Sequence, residues 1–429
     1  MTRSQRIRRA TPLVAVTVVS VAMTGFASRG LAQTFTPEPP PPTPVVLPGG
    51  GTSPSPFPST LRTPRPSPTE PPDLRAASAV LLDLDTGQIL HAIAPTEKRP
   101  IASLTKIMTA YLVLSRVSPN DVVTVSADAA SGRIAGISGL GLLEGERIRV
   151  HELLYALLLQ SANDAAVALA EHVSGDVETF VAAMNRTAQR LGLSRTRFAS
   201  PNGLDDTGYS TARDLARLTR AAYRLPGFGS IVATRFHTIP APQGDPRVVQ
   251  NRNALLWLYQ GAAGVKTGFT SAAGFCIVAT ADRGDQRLLT VILGEPGEPF
   301  SDAAALLNYG FAAFDRRSLV QDGDDLGRVE IDGRPVTVRA GASLEALVPT
   351  GARVSRRLQV FPGVRFPPGR GQAIGSVVIG VPGMTVGVVP LLVTAVDPPP
   401  PLEEDRPWWR RAFGALVEAG GALLEGVFG

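Results

Sequence analysis

The sequence predicts a mixed α/β domain with an antiparallel sheet and a helical insert, followed by a small all-β module. Three observations carry this. Between residues 76 and 315, β-like runs stand at both ends and helical patterns fill the middle. No strand-helix-strand rhythm runs through that region, so the sheet is antiparallel. From about Leu319 to Val396 only short strand patterns and turns remain.

Ala79-Val-Leu-Leu-Asp-Leu84 and Gln88-Ile-Leu-His-Ala92 flank Asp85-Thr-Gly87 and read as a hairpin with a glycine-containing turn. Helical patterns then follow Ser103, cover Val150 to Gln160, Asp164 to Val173 and Val177 to Leu191, and resume at Thr211, which stands three residues before Asp214 as in a capping box. Strand patterns return at Val265, Phe275 to Ala281 and Leu288 to Leu293, with a helix through Ala303 to Phe314. Strands from both ends of the region therefore build one sheet. In the last module the strand runs are Val329-Glu-Ile331, Pro335-Val-Thr-Val338, Ser355 to Val360, Ser376-Val-Val-Ile379 and Leu391-Leu-Val-Thr394, the pattern of a sandwich.

The two ends are of another kind. Residues 1–32 carry a basic start through Arg9, an apolar run from about Leu13 to Phe26 and small residues ending at Ala32, which reads as an export signal. The mature chain then works outside the cytoplasm, and lipoprotein anchoring is excluded because no cysteine lies near the cleavage site. Residues 33–73 are dominated by Pro, Thr, Ser and Gly and read as an unfolded spacer. The mixed α/β domain is expected over 74–316, the β-sandwich over 317–396 and a Pro-rich acidic linker over 397–406. Residues 407–429 read as an amphipathic helix: Arg411, Glu418 and Glu425 share one face, and Trp409, Phe413, Leu416, Leu424 and Val427 the other. Too charged to span a bilayer, it suits the headgroup boundary, which puts the protein on the outer face of the cytoplasmic membrane.

The net charge of +5 does not argue for nucleic acid. The first 32 residues hold five arginines and no acid, so the other 37 basic residues balance the 37 acidic ones. The single cysteine, Cys276, sits in an apolar strand-like run and reads as a buried small hydrophobe.

Of the 42 basic residues only three are lysine, Lys98, Lys106 and Lys266, leaving 39 arginines. A lysine here is placed where arginine cannot serve, because an ammonium can lose its proton and a guanidinium effectively cannot. Lys98, in Pro95-Thr-Glu-Lys-Arg-Pro100, reads as a solvated loop charge. The other two fall in an ordered set: Ser103-Leu-Thr-Lys106, then Ser161-Ala-Asn163, then Lys266-Thr-Gly268. Each is weak alone; order, spacing and lysine scarcity make the set strong.

A spacing of three at a helix start puts the Ser103 hydroxyl and the Lys106 amine on one face, with Cβ atoms about 5–6 Å apart. Ser103 is then the candidate nucleophile and Lys106 its base. For that, Lys106 must fall from about 10.4 toward 7, roughly 3 units or about 4 kcal/mol, through burial and the charge of Lys266. Ser161 and Asn163 are candidates to pass a proton and to orient Lys106 or the substrate amide. Lys266 and Thr267 offer a cation and a donor to a substrate carboxylate, and Gly268 lets substrate approach the strand. The amides of Ser103 and Phe269 are the expected oxyanion hole. Ser161 also reads as an N-cap for the next helix. His91, His151, His172 and His237 show no metal spacing, so neither a metal site nor a cofactor is expected.

With these motifs in place, the chain resembles the serine D-alanyl-D-alanine carboxypeptidases, the low-molecular-mass penicillin-binding proteins, over roughly residues 76–429. Leu153 to Leu169, Ser200-Pro-Asn-Gly-Leu204, Tyr209-Ser-Thr211 and Gly264-Val-Lys-Thr-Gly-Phe-Thr270 support it. The resemblance implies the penicillin-recognising serine hydrolase fold. It implies a Ser103 acyl-enzyme formed from peptidoglycan stem peptides, release of D-alanine, and inhibition by β-lactams. It departs at residues 298–311, where members carry an arginine for the substrate carboxylate and this chain has none, and in the length of its Pro-rich spacer. Three rivals are a DD-endopeptidase cutting cross-links, a class A β-lactamase and a silent wall-binding protein. No glutamate stands where a β-lactamase needs one between Asn163 and Lys266, and intact motifs argue against the silent protein.

Overall fold

The computed structural model describes residues 69–131, 138–297, 299–382 and 384–396. The export segment 1–32, nearly all of the spacer 33–73, the linker 397–406 and the amphipathic stretch 407–429 lie outside the described residues. Among the described residues, no helix is long and apolar enough to cross a membrane.

Strands β1 (Ser78–Asp83) and β2 (Ile89–Ile93) pair antiparallel, and a 3₁₀ turn, Ala102–Thr105, leads into α1 (Lys106–Arg116). The middle of the chain then runs through β3 (Val122–Thr124), α2 (Ala127–Ser131), β4 (Arg147–Arg149), α3 (Val150–Tyr155), a π-helical stretch at Ala156–Gln160, α4 (Asn163–Ser174), α5 (Val177–Arg190), α6 (Ala212–Tyr223), α7 (Phe228–Ala233), β5 (Phe236–Ile239), β6 (Arg247–Gln250) and α8 (Leu255–Leu258). It closes with β7 (Ala262–Thr270), β8 (Gly274–Arg283), β9 (Gln286–Glu295) and α9 (Phe300–Ala313). The main sheet has the order β2-β1-β9-β8-β7, every pair antiparallel, so the two ends of the region meet at β1 and β9. β7 is an edge strand, which leaves one side of its backbone for other partners.

Strand periodicity of two sorts the sheet's side chains between two cores. Val80, Leu82, Leu289, Val291 and Leu293 join the helical region, while Ala79, Leu81, Leu288 and Ile292 pack with α9. Each such fully buried leucine or valine contributes roughly 1.5–3 kcal/mol. Local caps agree: Asp176 accepts from Thr179 N at the start of α5, and Thr211 accepts from Asp214 N at the start of α6.

The remaining strands form a C-terminal β domain. β10 (Phe314–Val320) starts on the residue after α9 and pairs with β13 (Leu344–Pro349). β11 (Asp325–Ile331), β12 (Arg334–Ala340), β14 (Ser355–Val360), β15 (Ala373–Val381) and β16 (Met384–Val396) make a five-stranded sheet in the order β11-β12-β16-β15-β14. Leu319, Val320 and Val348 of the pair share one core with Val338, Val377 and Leu391 of the sheet. β10 and β13 were not among the strands expected from sequence. Arg316 and Arg317 interrupt the apolar pattern of β10, and Arg316 is spent on an ion pair with fully buried Asp83 of β1, at 3.0 Å. Gln88 adds a reciprocal pair of bonds to the Leu347 backbone, which fastens the β domain to the first hairpin.

Candidate active site

Lys106, the first residue of α1, is completely buried. Its Nζ stands 3.0 Å from Ser103 Oγ, 2.8 Å from Asn163 Oδ1 and 2.7 Å from the backbone oxygen of Asn202. The amide of Asn163 is oriented by donation from Nδ2 to Ser138 O at 2.9 Å, so Oδ1 is the atom left for lysine. Two of the three neighbours can only accept, whereas the serine hydroxyl can do either. As a neutral amine Lys106 still satisfies both carbonyl oxygens with its two N–H groups, and its lone pair then faces the Ser103 O–H. Burial, then the charges of Lys266 and Arg252, hold the Lys106 ammonium well below its ordinary pKa, with Asp164 opposing.

The backbone around Ser103 is built for this contact. Ala102 sits at φ +47°, in the left-handed region, and turns the chain into the 3₁₀ turn. Gly203, at φ +81°, lies so close that a Cβ would collide with the Ala102 carbonyl oxygen. That glycine belongs to the turn 200–204, which α1 pins from below: Thr109 Oγ1 donates to Pro201 O at 2.6 Å, and Lys106 takes Asn202 O. On the other side, a Cβ on Gly268 of β7 would stand 3.0 Å from Ser103 N. Gly268 therefore lets the edge strand pass directly beside the Ser103 amide.

Ser161 closes the π-helical stretch at φ +66°, and its buried hydroxyl has no hydrogen-bond partner among the described residues. It is not the N-cap expected from sequence; Ala162 occupies that position, because the left-handed turn at Ser161 carries the chain past the helix start. The turn is stapled to residues 138–142: Asn163 N donates to Ser138 O, Ser138 Oγ to Gln160 O, and buried Asp164 accepts from Leu140, Gly141 and Leu142 N. Among the described residues no glutamate bonds to Ser103 or Lys106.

On β7, Lys266 is 1% exposed and donates from Nζ to Thr267 O at 2.9 Å. Burial, then the charge of Arg252, lowers its pKa to about 7. Thr267 and Gly268 are partly exposed, and Phe269 is exposed and tilted against Phe275 with ring centroids 4.4 Å apart. Lys98 is exposed in a loop, as expected, and stands over the Tyr209 ring at 4.5 Å.

Sequence reasoning missed Arg252. It is exposed, its guanidinium makes no hydrogen bond among the described residues, and its charge acts on both buried lysines, Lys106 and Lys266. Its backbone is fixed by its neighbours: Arg252 N donates to Leu159 O, buried Asn251 ties to Val232 O and Thr234 O, and Asn253 N donates to Asn251 Oδ1. Two asparagines flanking one arginine, in Gln250-Asn-Arg-Asn253, were the available signal. The start of α9, by contrast, holds an acid: Asp302 accepts from Arg75 and Ala76 N, and buried Glu295, the last residue of β9, has Arg75 Nε at 3.4 Å.

A family model described as D-alanyl-D-alanine carboxypeptidase matches residues 65–297. The chain is 33% identical over 346 residues to the D-alanyl-D-alanine carboxypeptidase DacC of Escherichia coli, covering 76% of this chain and 84% of that protein. It is 30% identical over 330 residues to DacF of Bacillus subtilis, covering 74% and 84%. Among solved structures it is similar to penicillin binding protein 5 from Haemophilus influenzae, with a TM-score of 0.66, 32% identity and coverage of 76% of this chain and 98% of that one. A Streptomyces DD-transpeptidase matches with a TM-score of 0.54 and 35% identity, over 56% of this chain and 99% of that one.

Proposed function

The chain belongs to the D-alanyl-D-alanine carboxypeptidase family, and from that premise we propose the roles its residues play in the reaction. Ser103 Oγ attacks the carbonyl carbon between the two terminal D-alanines while its proton moves to the lone pair of Lys106. The oxyanion that forms is held by the amides of Ser103 and Phe269, a placement supported by the close passage of Gly268 beside Ser103 N. Lys106 then returns the proton through Ser161 Oγ to the departing nitrogen, the amide C–N bond breaks, and D-alanine leaves. Water repeats the sequence on the Ser103 ester and frees the shortened stem peptide. Asn163 keeps Lys106 aimed, and Lys266, Thr267 and Arg252 hold the substrate's terminal carboxylate.

The observation that carries this proposal is the pair of acceptor-only oxygens on Lys106, at 2.8 and 2.7 Å, which leave a neutral amine one free lone pair and one place to aim it. β-Lactams act as carboxyl-bearing mimics that acylate the same serine. The export segment 1–32 and the amphipathic stretch 407–429 support work outside the cytoplasm, peripheral on the membrane's outer face. Purified protein given defined pentapeptides and cross-linked muropeptides, with products read by mass, tests the activity: loss of one D-alanine from pentapeptide is expected, and cleavage of cross-links alone points to an endopeptidase.

A further inference from the structure

Away from the serine site, His151 and Glu152 at the start of α3 meet His237 of β5, 85 residues later than Glu152. His237 Nε2 lies 2.7 Å from Glu152 Oε2, and His151 Nδ1 lies 3.7 Å from Glu152 Oε1, so one carboxylate is approached by two imidazoles on its two oxygens. One donor atom from each of the three residues lies within 4.8 Å of the others. An ordinary histidine-glutamate hydrogen bond needs only one ring; here a second ring, that of the neighbouring His151, also faces the carboxylate.

The rings are also held in place. Tyr155, one turn along α3 from His151, stacks on His237 with centroids 3.7 Å apart and planes 13° apart, and meets His151 edge-on at 4.8 Å. The two imidazoles stand nearly perpendicular, at 89°, with centroids 5.8 Å apart. Two neutral imidazole nitrogens and one carboxylate oxygen are a donor set suited to a borderline first-row dication. Tetrahedral bonds of about 2.0–2.1 Å ask for donors about 3.3 Å apart, which small side-chain rotations supply here.

We propose that His151, Glu152 and His237 form a binding site for a divalent transition-metal ion of the zinc type, with one coordination position left to water. Partial exposure, 42% for His151 and 23% for His237, gives the ion a path in. The ion would clamp α3 to the β5-β6 hairpin. Both elements lead to the serine site: α3 runs through the π-helical stretch to Ser161, and β6 runs to Arg252, whose N–H already bonds Leu159 O. The site's main effect is therefore expected in the stability of that half of the domain.

Chelator-treated, tag-free full-length protein titrated with Zn²⁺ by calorimetry tests this, with thermal melting alongside. One equivalent should bind, the melting temperature should rise by several degrees with Zn²⁺ and not with Mg²⁺, and His237→Ala and Glu152→Ala should each weaken binding at least tenfold. His151→Gln, on the exposed side of the cluster, serves as the variant least able to disturb folding, which circular dichroism checks. Unchanged Zn²⁺ affinity in all three variants, or no zinc-dependent stabilisation of the parent, overturns the proposal. An anomalous zinc peak between the three side chains in crystals supports it, and a peak elsewhere overturns it.

Discussion

The Nζ of Lys106 lies 2.8 Å from the Oδ1 of Asn163, an oxygen held in place because the same amide donates to Ser138 O. A neutral acceptor at this spot steadies the amine without adding a negative charge that would keep it protonated. Asn163→Asp is nearly isosteric and adds that charge, so it should raise the Lys106 pKa and slow acylation at neutral pH by at least about a hundredfold. Asn163→Ala, which only loosens the amine, should cost less near pH 7. Acylation rates with a fluorescent penicillin from pH 5 to 10 check this; a profile in Asn163→Asp that is not displaced to higher pH counts against a neutral Lys106.

In the proposed mechanism Lys266 carries the opposite requirement, charge to hold a carboxylate, while burial and Arg252 lower its pKa to about 7. In the free enzyme kcat/KM for a pentapeptide should therefore decline as pH rises through about 7. Lys266→Arg keeps its charge throughout, so that alkaline limb should vanish, while the bulkier guanidinium in a buried site lowers activity at pH 6 about tenfold. Persistence of the same limb in the variant would assign it elsewhere.

Arg252 is the proposed carboxylate partner that the lysine argument did not reach. Arg252→Ala should raise KM for a substrate with a free terminal carboxylate about tenfold to a hundredfold, the size of one lost charged hydrogen bond. A substrate capped there as an amide should be nearly indifferent to the substitution. Equal losses on both substrates contradict a direct contact.

Glu295 gives a pH signature of the fold. Burial, with the Asp302 carboxyl beside it, pushes its pKa from 4.5 up to about 7. Between those values the folded chain holds more protons than the unfolded one, so stability falls as pH rises from about 4.5 to 7 and levels off above. Glu295→Gln removes that titration, and its denaturation midpoint should change less with pH across the same window. An unaltered slope would show that other groups govern it.

Much of this was legible in the chain because periodicity and spacing are local. The β1-β2 hairpin, the helices after Ser103 and Thr211, and the grouping of Ser103 with Lys106 each depend on neighbours within a few residues. What escaped depends on distance along the chain or on backbone twist. The proximity of Arg252 to Lys106 joins residues far apart in sequence, and so does the meeting of His237 with Glu152. The left-handed turns at Ala102 and Ser161 have no glycine to announce them, so Ser161 looked like a helix cap. The β10 strand was hidden by Arg316 and Arg317, the first of which pairs with Asp83 in the first hairpin.

The central claim is that Ser103 is activated by a lysine able to give up its proton, and intact-mass measurement of the penicillin adduct on Lys106→Arg tests it most directly. The parent protein should gain one penicillin mass, lost in Ser103→Ala, and Lys106→Arg, folded by circular dichroism, should gain none over the same period. A Lys106→Arg protein that is acylated on Ser103 at the parent rate would contradict the account.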